Sequence, residues 1–377
     1  MDYTQQSIRF KLKKAVRYCL LYGVDRTLVK VKGQYHMKKV YQRLPKIAQQ
    51  RTQTGHVGLI GCGNYAFSNI AYYLNKQHKG AIRAAMDSDI NKAASMFENY
   101  KLAYYTTDID ELLNDAHIDL IYIASNHASH AEYAIKALQM GKHVHIEKPH
   151  AVTFDQLQRL IAAAEDSPAK IVSVGYNRPT SDFGERIKKS LWSEQGAGMY
   201  NWFVAGHELD PEHWYFKSEE GGRVLGNLCH WTDFTYTMIA AECRYPITIS
   251  PVRADQSDCD IAVNYIFGDG SIAVITFSAK GHTFEGVREK FAAHRGNVLI
   301  SLDDFQRLTI ETVDKKNQYK KLSRDHGHQN AILSSYHRAQ TDQGLAHEYI
   351  WQTAELFLKT KEALESNQTL VIEGGEC

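Results

Sequence analysis

The stretch "HVGLIGCGNYA", residues 56–66, decides the fold. Its apolar start reads as a short buried strand, and the strand runs straight into Gly61-x-Gly63-x-x-Ala66. In such a loop the first glycine permits a tight turn and the second lets the backbone approach a pyrophosphate. The small third residue allows close helix packing. "NYAFSNIAYYL" (64–74) reads as the helix that follows, so Asn64 and Tyr65 open a helix N-terminus suited to phosphates. The motif alone is weak, but strand, glycine turn and helix in succession are the context it requires. A second strand, "AIRAAMD" (81–87), ends on Asp87. An acid at that point binds ribose hydroxyls and repels a 2′-phosphate, which favours NAD over NADP.

Working outward, strands and helices alternate. "INKAASMFENY" (90–100) is helical, "KLAYYT" (101–106) a short strand, and "TDIDELLND" (107–115) a helix with Thr107 as its N-cap. "IDLIYIA" (118–124) is a strand, and "HAEYAIKALQMG" (130–141) a helix closed by Gly141. "KHVHIE" (142–147) and "KIVSVGYN" (170–177) are strands around a helix, "TFDQLQRLIAAAEDS" (153–167), that opens with a Thr153-x-x-Gln156 capping box. This rhythm predicts a doubly wound parallel sheet with right-handed crossovers. Beyond about residue 178 the rhythm changes. Strands are expected over 197–206, 261–281 (a hairpin turning at 268–270), 289–304 and 307–313. Helices are expected over 229–241 and about 345–366. The expected architecture is α/β: an N-terminal Rossmann domain (53–175) and a C-terminal α+β domain with a mixed sheet (176–377), preceded by an arm (1–52).

The 377 residues suffice for two domains. No apolar run reaches the ~20 residues of a membrane span, and no secretory leader pattern is present. Six scattered cysteines, Cys19, Cys62, Cys229, Cys243, Cys259 and Cys377, favour free thiols in a reducing cytoplasm. No set of ligands has zinc spacing, so no metal is expected. The net charge of +1 conceals an asymmetry: residues 1–51 carry 13 Lys and Arg against Asp2 and Asp25, leaving the rest at −10. "SIRFKLKKAVRYCLLYG" (7–23) reads as a basic amphipathic helix. Two readings stand: a peripheral contact with an anionic membrane surface or acidic partner, and a solvated helix packed on the protein's own acidic body. Nothing in the pattern suggests nucleic acid.

Two further runs carry chemistry. "IASNHASHAEYA" (123–134) follows the fourth expected strand, at the sheet end where open α/β sheets bind ligands, and gathers Ser125, Asn126, His127 and His130. "KHVHIEKPH" (142–150) sets Lys148 between Glu147 and Pro149 at the next strand end. Desolvating an ammonium is costly without a partner. In the same crevice Lys148 can hydrogen-bond a substrate hydroxyl while a nicotinamide exchanges hydride with its carbon. Glu147 pairs either with Lys148 or with cofactor hydroxyls.

The chain resembles the Gfo/Idh/MocA oxidoreductases. The resemblance rests on "VGLIGCGNYA", on "IDLIYIASNHASHAEYAIKALQMGKHVHIEKPHAVT" (118–153) and on "VGYNRP" (174–179), and covers residues 56 to about 370. It implies Lys148 as the catalytic lysine and an open-faced C-terminal sheet that builds homodimers or homotetramers. In "EEGGRVLGNLCHWTDF" (219–234) it points to His230 as acid/base. Many relatives have an acid just before that histidine; Gly226 and Asn227 stand here, and Asn227 can orient a hydroxyl but not ionise. The same run resembles the subgroup found with bacterial polysaccharide synthesis, which implies a sugar or nucleotide-sugar substrate. Tyr176, Asn177, Arg178, His213, Trp214 and Arg223 are the substrate-side candidates, since rings stack on pyranose faces and arginine holds a diphosphate. Two rivals share the scaffold: an NAD-dependent glycosidase, and a non-catalytic NAD-binding scaffold recruited by the basic arm.

Overall fold

The structure is a computed structural model that describes residues 5–47, 55–253, 260–280 and 284–374; Cys259 and Cys377 lie outside them. The chain divides into two compact units. The first comprises Met1–Cys19, Gly23–Gly175 and Gln329–Ile350, and the second Leu20–Tyr22, Tyr176–His328 and Trp351–Cys377.

α1 (Ile8–Tyr22), whose last three residues are grouped with the second unit, and α2 (Val24–His36) precede β1 (Val57–Ile60) of the first unit. Then follow β2 (Ile82–Met86), β3 (Tyr104–Thr106), β4 (Leu120–Ile123), β5 (His143–Ile146) and β6 (Ile171–Val174). The six strands are parallel, in the order β3-β2-β1-β4-β5-β6, so the strand order reverses between β1 and β4. β1, β4 and β6 are buried at every position, because helices cover both faces of a parallel sheet.

The helix expected over 64–74 is a π-helix at Ala66–Ala71, continued by α3 (Tyr72–Gln77). Next come α4 (Ile90–Tyr100) and α5 (Ile109–Leu113). The cap of α5 is Asp108 rather than Thr107: its carboxylate accepts the Asp110 N–H. After α6 (His127–Gln139), α7 (Phe154–Asp166) has the expected cap, Thr153 Oγ1 accepting from Gln156 N, while Gln156 Oε1 reaches back to Val152 N.

In the second unit come α8 (Asp182–Trp192), β7 (Gly198–Ala205), α9 (Cys229–Met238), β8 (Ile247–Arg253), β9 (Asp260–Ile266) and β10 (Ile272–Ser278). β11 (Arg288–Arg295), β12 (Val298–Asp303), β13 (Arg307–Glu311) and β14 (Lys316–Lys320) follow. α10 (His328–Gln340) leads back into the first unit, and α11 (His347–Ser366) and β15 (Leu370–Ile372) end the described chain. Nine strands form one mixed sheet, β14-β13-β12-β11-β7-β10-β9-β8-β15, with β7 and β10 as its parallel pair. The single strand expected over 289–304 is two, turned at Gly296 with φ 53°. Alternating burial on β7 and β11 leaves one sheet face open.

Two boundaries expected from sequence need correction. Gln329–Ile350 belongs with the first unit. α10 packs on its sheet, where Ile332 and Tyr336 join the hydrophobic core and the Ile332 carbonyl accepts the Tyr122 hydroxyl. The arm is not a separate piece either. Burying Arg26, Thr27, Gly33 and His36, α2 packs on the π-helix.

Candidate active site

The dinucleotide loop is shaped by its glycines. Gly61 has φ 86°, and a Cβ there would lie 2.5 Å from the Ala124 carbonyl oxygen, so only glycine lets the β1 and β4 loops touch. A Cβ on Gly63 would meet nothing within 4 Å, which leaves that backbone open to a ligand. Asp87 stands beside the loop: Oδ2 accepts Cys62 N–H at 2.7 Å and Oδ1 accepts Asp89 N–H at 2.9 Å. A carboxylate has about four lone-pair sites, so both oxygens keep capacity for ribose hydroxyls. The open Gly63, the carboxylate and the helix behind Ala66 fit a nicotinamide dinucleotide. Asn64 and Tyr65 are half-buried on the loop. The Tyr65 phenol hydrogen-bonds Glu147, and burial together with that carboxylate pushes its pKa well above the ordinary value.

An unforeseen support lies behind the loop. His36 from α2 approaches the Cys62 carbonyl through Nε2 at 2.6 Å and Ser95 Oγ through Nδ1 at 2.9 Å. Its ring stacks on Phe67 at 4.3 Å, and burial lowers its pKa. Arg26 donates to Asn69 Oδ1 on the π-helix and lies over the rings of Tyr72 and Tyr73. α2 and the loop are thus one packed piece within the first unit.

At the end of β4, Ser125 Oγ meets Ser129 Oγ at 2.7 Å, and Ser129 Oγ also donates toward Asn126 Oδ1. Asn126 precedes α6 without a side-chain capping bond; His127 is buried in its first turn. His130 is buried too, which lowers its pKa. A neutral ring has one N–H, and Nδ1 lies 2.9 Å from the Pro149 carbonyl, with Nε2 3.2 Å from the Ser125 carbonyl. His130 therefore ties the β4 loop to the β5 loop.

Lys148 is half-buried immediately past β5, at the carboxyl end of the sheet where Gly61 and Ser125 also lie, and the Lys148–Pro149 bond is cis. Glu147 is buried, 3.2 Å from His145 Nε2 through Oε1, and Ser335 Oγ lies 2.8 Å from His145 Nδ1. His150 Nε2 donates to the Ile350 carbonyl at 2.8 Å, and burial pushes its pKa down to about 4. Sequence reasoning passed over Ser129, His145 and His150. Their signal was a polar residue recurring inside runs otherwise buried.

In the second unit His230 is half-exposed on α9, which follows a π-helix at Val224–Leu228. Tyr176 is buried, its ring 6.3 Å from that of His230. Asn227, also half-exposed, precedes His230 by three residues and shares its face; its Oδ1 accepts from Arg223 Nη1 at 3.2 Å. Arg223 is buried and also donates to the His207 carbonyl. Gly221 and Gly222 both have left-handed φ, and a Cβ on Gly221 would press on Leu225, which explains the Gly-Gly entry to this helix. Glu220, unremarked in the sequence, is a buried acid at that entry. His213 caps the turn Trp214–Phe216, and Trp214 is half-exposed there rather than in the core, its ring 4.5 Å from Tyr215.

Two substrate-side candidates are corrected. Arg178 is buried in a two-pronged pair with Glu289, both bonds 2.7 Å, and Glu289 Oε2 also accepts from Trp231 Nε1 at 2.8 Å. The guanidinium lies 4.7 Å from the Trp231 ring, so it braces the core instead of reaching for a diphosphate. Asn177, 1% exposed, donates to the His326 carbonyl at 2.6 Å. Among the described residues no cluster is suited to a metal ion, and no helix is long and apolar enough to cross a membrane.

Residues 56–176 match the GFO_IDH_MocA family model, described as "Oxidoreductase family, NAD-binding Rossmann fold". The chain is 25% identical over 224 residues to the "Uncharacterized oxidoreductase YrbE" of Bacillus subtilis, covering 58% of this chain and 65% of that one. It is 30% identical over 139 residues to the inositol 2-dehydrogenase of Ralstonia nicotianae, covering 37% and 41%. The chain thus spans less than two thirds of the length of these curated relatives. A solved levoglucosan dehydrogenase in complex with NADH and levoglucosan superposes with a TM-score of 0.73 at 15% identity, over 84% of this chain and 99% of that one, a likeness of fold.

Proposed function

We propose, on the premise that this chain belongs to the Gfo/Idh/MocA family of NAD-binding oxidoreductases, that it is an NAD-dependent dehydrogenase for a carbinol of a sugar or nucleotide-sugar. The observation that carries this reading is Lys148, set past β5 at the carboxyl end of the sheet that bears the dinucleotide loop and fixed from behind by the His130–Pro149 contact. When bound, NAD supplies the hydride acceptor. The Lys148 ammonium donates a hydrogen bond to the reacting oxygen and stabilises it as its proton leaves. His230 is the acid/base residue that the family resemblance implies, with Asn227 suited to orient a hydroxyl. Gly61, Gly63 and Ala66 receive the pyrophosphate, with Asp87 on the ribose. Glu147, held by Tyr65 and His145, keeps the β5 end in register with the loop. Tyr176, His213, Trp214 and Arg223 remain the substrate-side candidates.

Inositol and levoglucosan are the ring polyols named for the relative and for the structural neighbour, and they support the substrate class. The resemblance of the run "GGRVLGNLCHWTDF" to the polysaccharide-synthesis subgroup supports a place in bacterial surface-polysaccharide synthesis, and the scattered cysteines support the cytoplasm.

The test is native mass spectrometry of the purified protein, followed by NADH formation with myo-inositol, levoglucosan and a UDP-hexose. Co-purified NAD(H), and turnover that falls by about 10²–10⁴-fold in Lys148→Ala while NAD affinity holds within a few-fold, is the expected result. Full turnover in Lys148→Ala, or a protein that ignores NAD in calorimetry, overturns the proposal.

A further inference from the structure

We propose that the α1–α2 hairpin is a docking surface for an anionic lipid bilayer. The hairpin is built with its polar side inward. α2 buries Arg26, Thr27, Gly33 and His36 and turns Leu28 and Val31 to solvent at 56% and 43% exposure. On α1 the outward arc carries Ile8, Leu12, Val16 and Leu20, each at least 60% exposed. The four-residue spacing advances only about 40° per step, so these aliphatics form one continuous stripe about 120° wide. Arg9 lies on that arc and Lys13 at its border, both exposed.

An apolar stripe left in water in a folded protein marks an interaction surface. Charge selects its occupant. Residues 5–47 hold twelve Lys and Arg and a single acid, Asp25. A second copy would set one strongly basic stripe against another. An anionic bilayer instead offers acyl chains to the aliphatics and headgroups to the cations, the division of labour of an interfacial amphipathic helix. Between the two helices lies a cavity of about 360 Å³ with mainly apolar walls, bordered by Lys11, Lys14 and Lys30. No helix in the described residues can span, so the attachment is peripheral.

The experiment is co-sedimentation of the full chain with phosphatidylcholine vesicles, with and without about 30% phosphatidylglycerol. Basic residues near such a surface are attracted to it, so at least tenfold more binding is expected on the anionic vesicles, falling as salt rises. The variant Leu12→Ser/Val16→Ser/Leu20→Ser and the variant Arg9→Gln/Lys13→Gln are each expected to lose most of it. All five positions are exposed, and unchanged NAD affinity and circular dichroism confirm that both variants fold. Equal binding to neutral vesicles, binding unchanged in either variant, or no binding overturns the proposal. So does a drop in assembly size in the serine variant without any vesicle binding, which makes the stripe a contact between copies of the chain. None of these outcomes depends on whether turnover is found.

Discussion

At the residue scale, His36 joins the arm to the cofactor loop through its two ring nitrogens. Removing such buried hydrogen bonds costs about 1–3 kcal/mol. His36→Ala is therefore expected to lower the melting temperature and weaken NAD several-fold in calorimetry; unchanged affinity would mean that the loop holds its shape alone. Arg178 and Glu289 form the other high-stakes pair, at 8% and 0% side-chain exposure. Breaking a buried pair from one side leaves an uncompensated charge, so Glu289→Gln should destabilise the protein by about 3–5 kcal/mol in denaturant melts. Burial lowers the pKa of His36, His130 and His150, the last from an ordinary 6.5 to about 4. The folded state then binds fewer protons than the unfolded chain below pH 6.5. Stability is full above that value and falls as pH drops toward 4. Melting temperatures from pH 8 to 4.5 would record this slope, and His150→Gln should make it shallower.

At the element scale, local pattern located all six strands of the parallel sheet, because a fully buried strand must be apolar throughout and its loops must carry glycine or a cap. It missed the π-helix at Ala66–Ala71. A π-helix adds a residue to a turn without altering composition, and here α2 lies against it. Gly33 faces Asn64 and Ser68 from α2, and a Cβ there would press on Asn64 Oδ1. Gly33→Ala is expected to lift α2 from the loop and speed proteolysis within residues 5–47, measured by limited trypsin digestion; protection equal to the parent would disprove the fit. The strands β8, β14 and β15 also escaped notice. β14 is exposed at four of its five positions and lies at the sheet edge, so no hydrophobic alternation marks it.

At the scale of the whole molecule, the open face of the nine-stranded sheet exposes Met199 at 59%, Phe203 at 52% and Leu299 at 47%. Such a face suits self-association, and Met199→Glu/Phe203→Glu is expected to shift the protein to a smaller species in size-exclusion with light scattering. An unchanged mass would locate any assembly elsewhere. The sequence by itself determined the alternation of strands and helices, the glycine loop with Asp87, and Lys148 at a strand end. Each of these is dictated by backbone chemistry within a few neighbouring residues. Only the tertiary structure decided that α10 returns to the first sheet, that α2 hides its polar side against the loop, and that Arg178 is spent on Glu289 rather than left for a ligand. Those outcomes join residues 26 to 69, 122 to 332 and 178 to 289. Whether a charge is buried with a partner or offered to a ligand depends on which distant side chain arrives beside it, and no local spacing encodes that.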